Sequence, residues 1–108
     1  MPLASQQCQG KARLLTTDEI AGYAKEIDKD WQLSDDNTLI RRIFKFKNYY
    51  ETMAFVNDVA MIAHQQDHHP EMNLSYNRCT VEYSTHSVGG LSAFDFICAA
   101  KIDTTLPI

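Results

Sequence analysis

The 108-residue chain has no long apolar segment and no excess of positive charge. Its uninterrupted apolar run at residues 59–63 is far shorter than the roughly 20 residues that span a bilayer. Ten Lys and Arg residues stand against fourteen Asp and Glu residues, and the resulting net charge of −4 gives no positive field for nucleic-acid phosphates. We therefore expect a globular protein that binds neither a membrane nor nucleic acid directly.

Cysteine is scarce, and the start of the chain lacks the features of a secretory signal. Cys8, Cys79 and Cys98 are odd in number and widely spaced, which fits neither a disulfide framework nor a zinc ribbon with paired cysteines. Residues 1–13 contain no succession of basic, apolar and small-residue regions. The sequence therefore predicts a cytoplasmic protein with a disordered tail at residues 1–13 and a single domain at residues 14–108.

Three predicted helix starts share one capping pattern, in which a Thr, Asn or Ser stands three residues before an acidic residue. The pairs are Thr16 with Glu19, Asn48 with Glu51, and Ser92 with Asp95. Apolar residues at helical spacing carry the first helix to about residues 28–30. The second helix should end near residues 67–68, because Pro70 disfavours helical geometry at His69.

Alternating apolar and polar residues predict strands between these helices. In residues 38–47 the apolar side chains share one face of an extended chain, with Arg42 as an exception on the same face. Residues 78–85 alternate in the same way, and residues 73–76 or 84–88 can supply another strand. With a short strand before them, the order is α-β-β-α-β-β-α, an α+β fold with helices covering one face of a small antiparallel sheet.

All four histidines of the chain, His64, His68, His69 and His86, fall between positions 64 and 86. Imidazole is the side chain whose unperturbed pKa, about 6.5, places its proton exchange near neutral pH. His64 and His68 lie four residues apart on one helical face, whereas Pro70 directs His69 elsewhere. His86 joins them if its strand runs back beside the helix end. The cluster predicts an acid–base site.

Other interpretations of these residues stay open from the sequence. A histidine on a polar helix face is often simply solvated, which is the plainest interpretation of His64. Two histidines at helical spacing with a third can bind zinc, although the chain has no H-E-x-x-H pattern. Asp95 already has a role as a helix cap, and the basic residues at 41–47 fit a solvated strand face as well as a phosphate site.

A long spaced pattern runs through this part of the chain. It consists of His64, His68-His69-Pro70-Glu71, Tyr76-Asn77-Arg78, Ser84-Thr85-His86, Gly90-Leu91-Ser92 and Asp95. The pattern resembles the pterin-4a-carbinolamine dehydratase family, and the similarity extends over residues 14–103. A pattern of this length is much more specific than any single histidine pair.

The resemblance implies a dehydratase that removes water from 4a-hydroxytetrahydrobiopterin and returns quinonoid dihydropterin to tetrahydrobiopterin recycling, without metal or cofactor. It also implies a four-stranded antiparallel sheet with three helices on one face. A homodimer or homotetramer, serving an aromatic amino-acid hydroxylase, is the implied assembly. Matching positions make His68, His69 and His86 catalytic. The residues expected to bind substrate are Asp67, Thr85, Asp95 and His64.

The reaction needs these residue types. Loss of hydroxide from C4a requires a proton on the departing oxygen, while a nitrogen-bound proton of the pterin must pass to a base. Each positioned proton-transfer group is worth about 10²–10⁴-fold in rate. We expect His68 and His86 to transfer protons and His69 to hold the ring.

Two positions depart from the family pattern. His64 stands where the family more often has an acid, so Asp67 or Glu71 would have to orient His68. Met72 stands where the family commonly has Trp, which predicts a changed pocket wall.

The resemblance also leaves a second class of function open. Some family members act as binding modules that stabilise the dimer of a homeodomain transcription factor or regulate a hydroxylase. The complete set of histidines favours catalysis, because a pure binding module has no need of all three.

Overall fold

The computed structural model describes residues 2–107 of the chain. Within this range, helices α1 (Thr17–Ala24), α2 (Tyr49–Gln66) and α3 (Ala93–Asp103) are interspersed with strands β1 (Gln32–Leu33), β2 (Ile40–Lys45), β3 (Glu71–Ser75) and β4 (Arg78–Tyr83). Short 3₁₀ helices lie at Leu3–Ser5 and His86–Val88. The predicted α+β class and element order are confirmed.

The four strands form one antiparallel sheet in the order β1-β2-β4-β3. In the central pair, Ile40 of β2 lies opposite Tyr83 of β4. In the outer pair, Glu71 of β3 lies opposite Glu82 of β4. The start of β2, the start of β3 and the end of β4 therefore meet at one end of the sheet, and the short loop after α2 leads to that same end.

One apolar core lies between the sheet and the helices. Phe55 and Val59 of α2 and Phe96 of α3 are fully buried. Phe44 of β2 packs on Phe55 with ring centroids 4.4 Å apart, which joins the sheet to the longest helix. None of the helices in residues 2–107 is long and apolar enough to cross a membrane.

The inward direction of Arg42 has a clear electrostatic reason. Its guanidinium lies 2.7 Å from Asp103 Oδ1, and the side chain is only 12% exposed. The guanidinium carbon also lies 4.5 Å from the centroid of the Phe44 ring. Trp31 Nε1 donates to the same carboxylate oxygen at 2.8 Å. Because the charge is paired and the donors are satisfied, this polar pair can lie at the margin of the core.

Two boundaries differ from the sequence prediction. Helix α1 ends at Ala24, because the N–H groups of Lys25 and Glu26 bond to carbonyls three residues back and tighten the last turn. Of the two alternatives for the remaining strand, the one at residues 73–76 corresponds to β3 (Glu71–Ser75), whereas residues 86–88 form a 3₁₀ helix that ends at Gly89 with φ 72°. A positive φ is readily adopted by glycine, which has no Cβ.

The N-terminal segment is packed on the domain, whereas the sequence predicts a disordered tail at residues 1–13. Leu3 is 3% exposed and belongs to the core. Lys101 Nζ donates to the Ala4 carbonyl at 2.9 Å, and Cys8 N–H donates to the Gln66 side chain at 2.8 Å. A single buried leucine and these long-range bonds hold a segment that looks polar in sequence. Met1 and Ile108, the ends of the two predicted ranges, lie outside the described residues.

Candidate active site

The chain leaves α2 through a left-handed residue. Asp67 has φ 51° and ψ 43°. The N–H of His68 bonds to the Ala63 carbonyl at 3.1 Å, and that of Asp67 bonds to the His64 carbonyl at 3.3 Å. This pair of bonds is a Schellman motif, which ends a helix sharply. The turn sends the two adjacent histidines in different directions: His68 is largely buried and His69 is exposed.

Aromatic side chains hold the His68 ring in place. The ring stacks on Tyr83 with centroids 5.2 Å apart and planes at 15°. Phe94 meets it edge-on with centroids 5.9 Å apart. The Tyr83 hydroxyl donates to the backbone carbonyl of His68 at 3.0 Å. Both the ring and the backbone of His68 are thus fixed before any substrate binds.

Asp95 connects His68 to the start of α3. This carboxylate is 0% exposed. Its Oδ1 lies 2.6 Å from His68 Nε2, and its Oδ2 accepts from the Thr85 hydroxyl at 2.8 Å and the Ser92 N–H at 2.9 Å. Because a carboxylate only accepts, Nε2 carries the proton of this bond. The helix cap expected from sequence is therefore also a histidine-orienting group.

A cavity of about 340 Å³ lies at the same end of the sheet. It brings together His69 from the loop after α2 and His86 from the 3₁₀ helix after β4. The residues that line it are Leu39, His69, Glu71, Glu82, Tyr83, Ser84 and His86. Antiparallel pairing places these residues side by side although they come from three separate segments of the chain. The sequence predicts His68, His69 and His86 around one cavity, and of these three His69 and His86 line this one.

Two carboxylates of the cavity face each other across neighbouring strands. Glu71 and Glu82 are directly paired in the β3–β4 register. Arg41 lies opposite Glu82 on β2, and its Nε donates to Glu82 Oε2 at 2.6 Å. No motif in the sequence singles out Glu82. The alternation of β4 placed it on the outer face, but only the strand order places it beside Glu71.

The other predicted site residues fall into two groups. Thr85 and Asp95 are buried behind His68, where they orient it and do not line the cavity. His64 and Asp67 are exposed at the end of α2 and are also absent from the cavity lining. The side chain of His68 itself is 12% exposed and contacts Tyr83, which does line the cavity.

Met72 does not form a wall of this cavity. It lies opposite Val81 in the sheet and packs, partly buried, against the core. Met72 therefore does not contact the cavity directly, as a changed pocket wall would require. Within residues 2–107, no three His, Cys, Asp or Glu side chains converge closely enough to hold a metal ion.

A family model described as pterin 4 alpha carbinolamine dehydratase matches residues 13–105. The chain belongs to this family. The match covers all three helices and all four strands, as well as every residue of the cavity and of the His68–Asp95 pair. The resemblance found in the sequence is therefore confirmed.

Known members of the dehydratase family are similar along nearly the whole chain. A Nitrosomonas eutropha protein is 54% identical over 99 residues, covering 92% of this chain and 86% of its own. A Legionella pneumophila (strain Paris) protein is 45% identical over 101 residues, covering 94% of this chain and 89% of its own. Both bear the name "Putative pterin-4-alpha-carbinolamine dehydratase".

Two solved structures have the same fold as this chain. A Brucella melitensis protein described as a transcriptional coactivator/pterin dehydratase superposes with a TM-score of 0.82 at 34% identity, covering 88% of this chain and all of that chain. A pterin dehydratase-like protein described as a RuBisCO assembly factor has a TM-score of 0.60 at 20% identity, covering 69% of this chain and 87% of its own. The second comparison concerns the fold alone.

Proposed function

We propose that this protein dehydrates a 4a-hydroxytetrahydropterin, such as 4a-hydroxytetrahydrobiopterin, to quinonoid dihydropterin. The observation that carries the proposal is the joining of His69 and His86 in one cavity beside a third histidine that Asp95 holds in place. In this reaction the C4a–O bond breaks and the oxygen leaves as water. The proton on the leaving oxygen and the proton lost from the ring nitrogen are the two transfers that histidines can perform.

The buried Asp95 supports a defined role for His68. With Nε2 directed to the carboxylate, the other ring nitrogen, Nδ1, is left to accept a proton in the neutral imidazole. The anion also stabilises the imidazolium that forms when His68 takes a proton. We assign His68 and His86 to proton transfer on this basis, with His69 holding the ring at the cavity wall.

The two glutamates support recognition of the pterin ring. The pyrimidine half of a pterin carries N–H and amino donors, and Glu71 and Glu82 present acceptor oxygens in the same cavity as the histidines. Arg41 pairs with Glu82 and limits the repulsion between the two carboxylates. The site thereby has acceptors for the ring and imidazoles for the leaving group.

Stopped-flow absorbance tests the proposal with 4a-hydroxytetrahydropterin generated by a hydroxylase in the same cell. We expect the wild type to accelerate its decay, and His68→Ala and His86→Ala to lose about 10²-fold or more of that acceleration. Ser87→Ala is the matched control for His86, because Ser87 lies in the same 3₁₀ turn, is exposed and does not line the cavity. A folded wild type that leaves the decay rate unchanged would overturn the proposal.

The proposal extends to a homodimer or homotetramer in the cytoplasm that serves tetrahydrobiopterin recycling beside an aromatic amino-acid hydroxylase. Strand β3 supports the assembly, since it lies at the edge of the sheet and pairs only with β4 among the described strands. An edge strand offers free backbone groups to a second copy. Analytical ultracentrifugation at micromolar concentration measures the assembly, and a monomer at that concentration contradicts this part.

A further inference from the structure

Two of the three cysteines meet where the N-terminal segment crosses α3. Cys8 Sγ lies 3.9 Å from Cys98 Sγ, although the residues are 90 positions apart in the chain. Cys98 is completely buried on α3, whereas Cys8 is partly exposed. The site described above uses neither of these thiols.

The segment around Cys8 is anchored at several points. The Cys8 N–H donates to Gln66 Oε1 at 2.8 Å, and Gln66 Nε2 donates to Gln7 Oε1 at 2.7 Å. Cys8 Sγ also lies 3.8 Å from the carbonyl of Phe94, in the first turn of α3. These contacts, together with the buried Leu3, keep Cys8 close to Cys98.

The two thiols are chemically unequal. The contact between the two sulfurs lowers the pKa of Cys8, and the same contact together with burial raises the pKa of Cys98. The ammonium group of Lys101 also lowers the pKa of Cys8, whereas partial burial and the Asp95 carboxylate act in the opposite direction. A thiolate is the reactive form of cysteine, so Cys8 is the more nucleophilic of the two. Cys98 is the resolving cysteine, which can react with Cys8 once Cys8 is oxidised.

Cys79 differs from both. It is a buried residue of β4 without a second cysteine in contact, and burial raises its pKa to about 11. It therefore stays a protonated and inaccessible thiol near neutral pH. The chain thus contains a matched internal control for any oxidation of the other two cysteines.

We propose that Cys8 and Cys98 are a modification site at which a peroxide forms an intramolecular disulfide that fastens the N-terminal segment to α3. The Cys8 thiolate attacks one peroxide oxygen, the O–O bond breaks, and Cys8 becomes a sulfenic acid as hydroxide leaves. The Cys98 sulfur then displaces hydroxide from the Cys8 sulfur. The two thiol protons combine with the two hydroxides, so two thiols are oxidised and one peroxide is reduced to two waters.

The geometry requires a small movement only. A disulfide has its sulfurs about 2 Å apart, so the partly exposed Cys8 side chain must approach by about 2 Å. The closed ring spans most of the domain, and a cross-link of such a long loop restricts the unfolded chain strongly. The inference is independent of the dehydratase activity, because it concerns the thiols alone.

The test is mild oxidation of the folded, reduced protein with a small excess of hydrogen peroxide, followed by removal of the peroxide, alkylation in denaturant so that buried thiols also react, and mass spectrometry. We expect wild type to lose two hydrogens, to keep one alkylatable thiol at Cys79, and to yield a linked peptide containing Cys8 and Cys98. Cys8→Ser should retain its remaining thiols without a cross-link. Cys79→Ser should still form the disulfide.

Stability gives a second readout on the same samples. The midpoint of thermal unfolding should rise by about 8 °C or more on oxidation of wild type, and dithiothreitol should reverse the rise. Amide exchange in residues 2–12 should slow in the oxidised form. Cys8→Ser is used to remove the cross-link, and not Cys98→Ser, because Cys8 is only partly buried and its substitution leaves the core intact. Three alkylatable thiols after treatment, an oxygen adduct on Cys8 without a cross-link, or a disulfide between two chains would each overturn the proposal.

Discussion

Helices α1 and α3 begin with the same motif in opposite surroundings. In α1, Thr16 and Glu19 bond each other's backbone N–H, and in α3, Ser92 and Asp95 do the same. Glu19 is partly exposed and its second partner is the exposed Arg13. Asp95 is fully buried and its second partner is His68. One local pattern therefore serves a helix end alone in the first case and a helix end plus a histidine in the second.

Surroundings decide what each carboxylate contributes. Water competes for the bonds of Glu19, and an exposed ion pair adds little to stability. No water reaches Asp95, so the loss of its carboxylate leaves buried donors without partners. The difference predicts that equivalent substitutions at the two motifs have unequal effects.

Asp95→Ala is expected to have the largest effect. Thr85 and the Ser92 N–H lose their acceptor, and His68 loses its orienting partner. We expect the free energy of unfolding to fall by about 2–4 kcal/mol and the dehydration rate to fall by about 10²-fold. Urea unfolding and stopped-flow decay measure the two effects. A folded Asp95→Ala protein with the wild-type rate would contradict the orienting role.

Asp103→Ala tests whether the loss of any largely buried carboxylate from α3 lowers the dehydration rate, or only the loss of Asp95. Asp103 lies at the other end of α3 and holds Arg42 and the Trp31 indole N–H. We expect the free energy of unfolding to fall by about 2–3 kcal/mol, because the Trp31 indole and the Asp28 N–H lose their acceptor and Arg42 keeps only its longer contacts to Asp28 and Asp30. The dehydration rate per folded molecule should stay at the wild-type value. A large loss of rate in the folded variant would mean that buried carboxylates of α3 affect the site regardless of their partner.

Thr85→Val keeps the side-chain shape but removes the hydroxyl that bonds to Asp95 at 2.8 Å and to the Ser92 hydroxyl at 2.7 Å. The carboxylate keeps the Ser92 N–H and His68, so we expect losses of about 1–2 kcal/mol in stability and about 3–10-fold in rate. Thr80→Val is the control, since Thr80 lies on β4, the strand that precedes Thr85, and outside the cavity lining. Equal effects of the two substitutions on the rate would argue against a hydrogen-bonded path from Thr85 to His68.

Glu19→Gln is expected to have the smallest effect, and its pH dependence identifies the cause. The bonds from Arg13 and Thr16 lower the pKa of Glu19 from 4.5 to about 2. Because the folded-state pKa is depressed, wild type should be slightly more stable above pH 4.5, and this difference should vanish as the pH falls towards 2. Thermal unfolding midpoints at low salt, measured across this range, check it. A pH-independent difference would show that charge is not responsible.

Local rules predicted the elements well and their termini less well. The capping pairs and strand alternations are confirmed because they depend on neighbours in the sequence. The end of α1 at Ala24, the Schellman turn at Asp67 and the 3₁₀ helix at residues 86–88 depend on backbone bonds that side-chain periodicity does not report.

The residue types of the candidate site were predictable from the sequence, but the contacts that each residue makes were not. The sequence placed His68, His69 and His86 near one another, and the structure divides them between the cavity and the Asp95 pair. Glu82 enters the site only through its pairing with Glu71 across strands. Arg42 looked like an exception because its partner, Asp103, is far away in the chain.

The sequence by itself determined the α+β order, the helix caps and the histidine cluster, because helical and strand periods and capping bonds act over a few residues. The tertiary structure alone decided that Asp95 faces His68, that Glu71 faces Glu82, and that Cys8 reaches Cys98. These contacts join segments that lie far apart in the chain, and sequence position alone does not show which distant segments come into contact. Only the strand order β1-β2-β4-β3 and the packing of α3 bring them together.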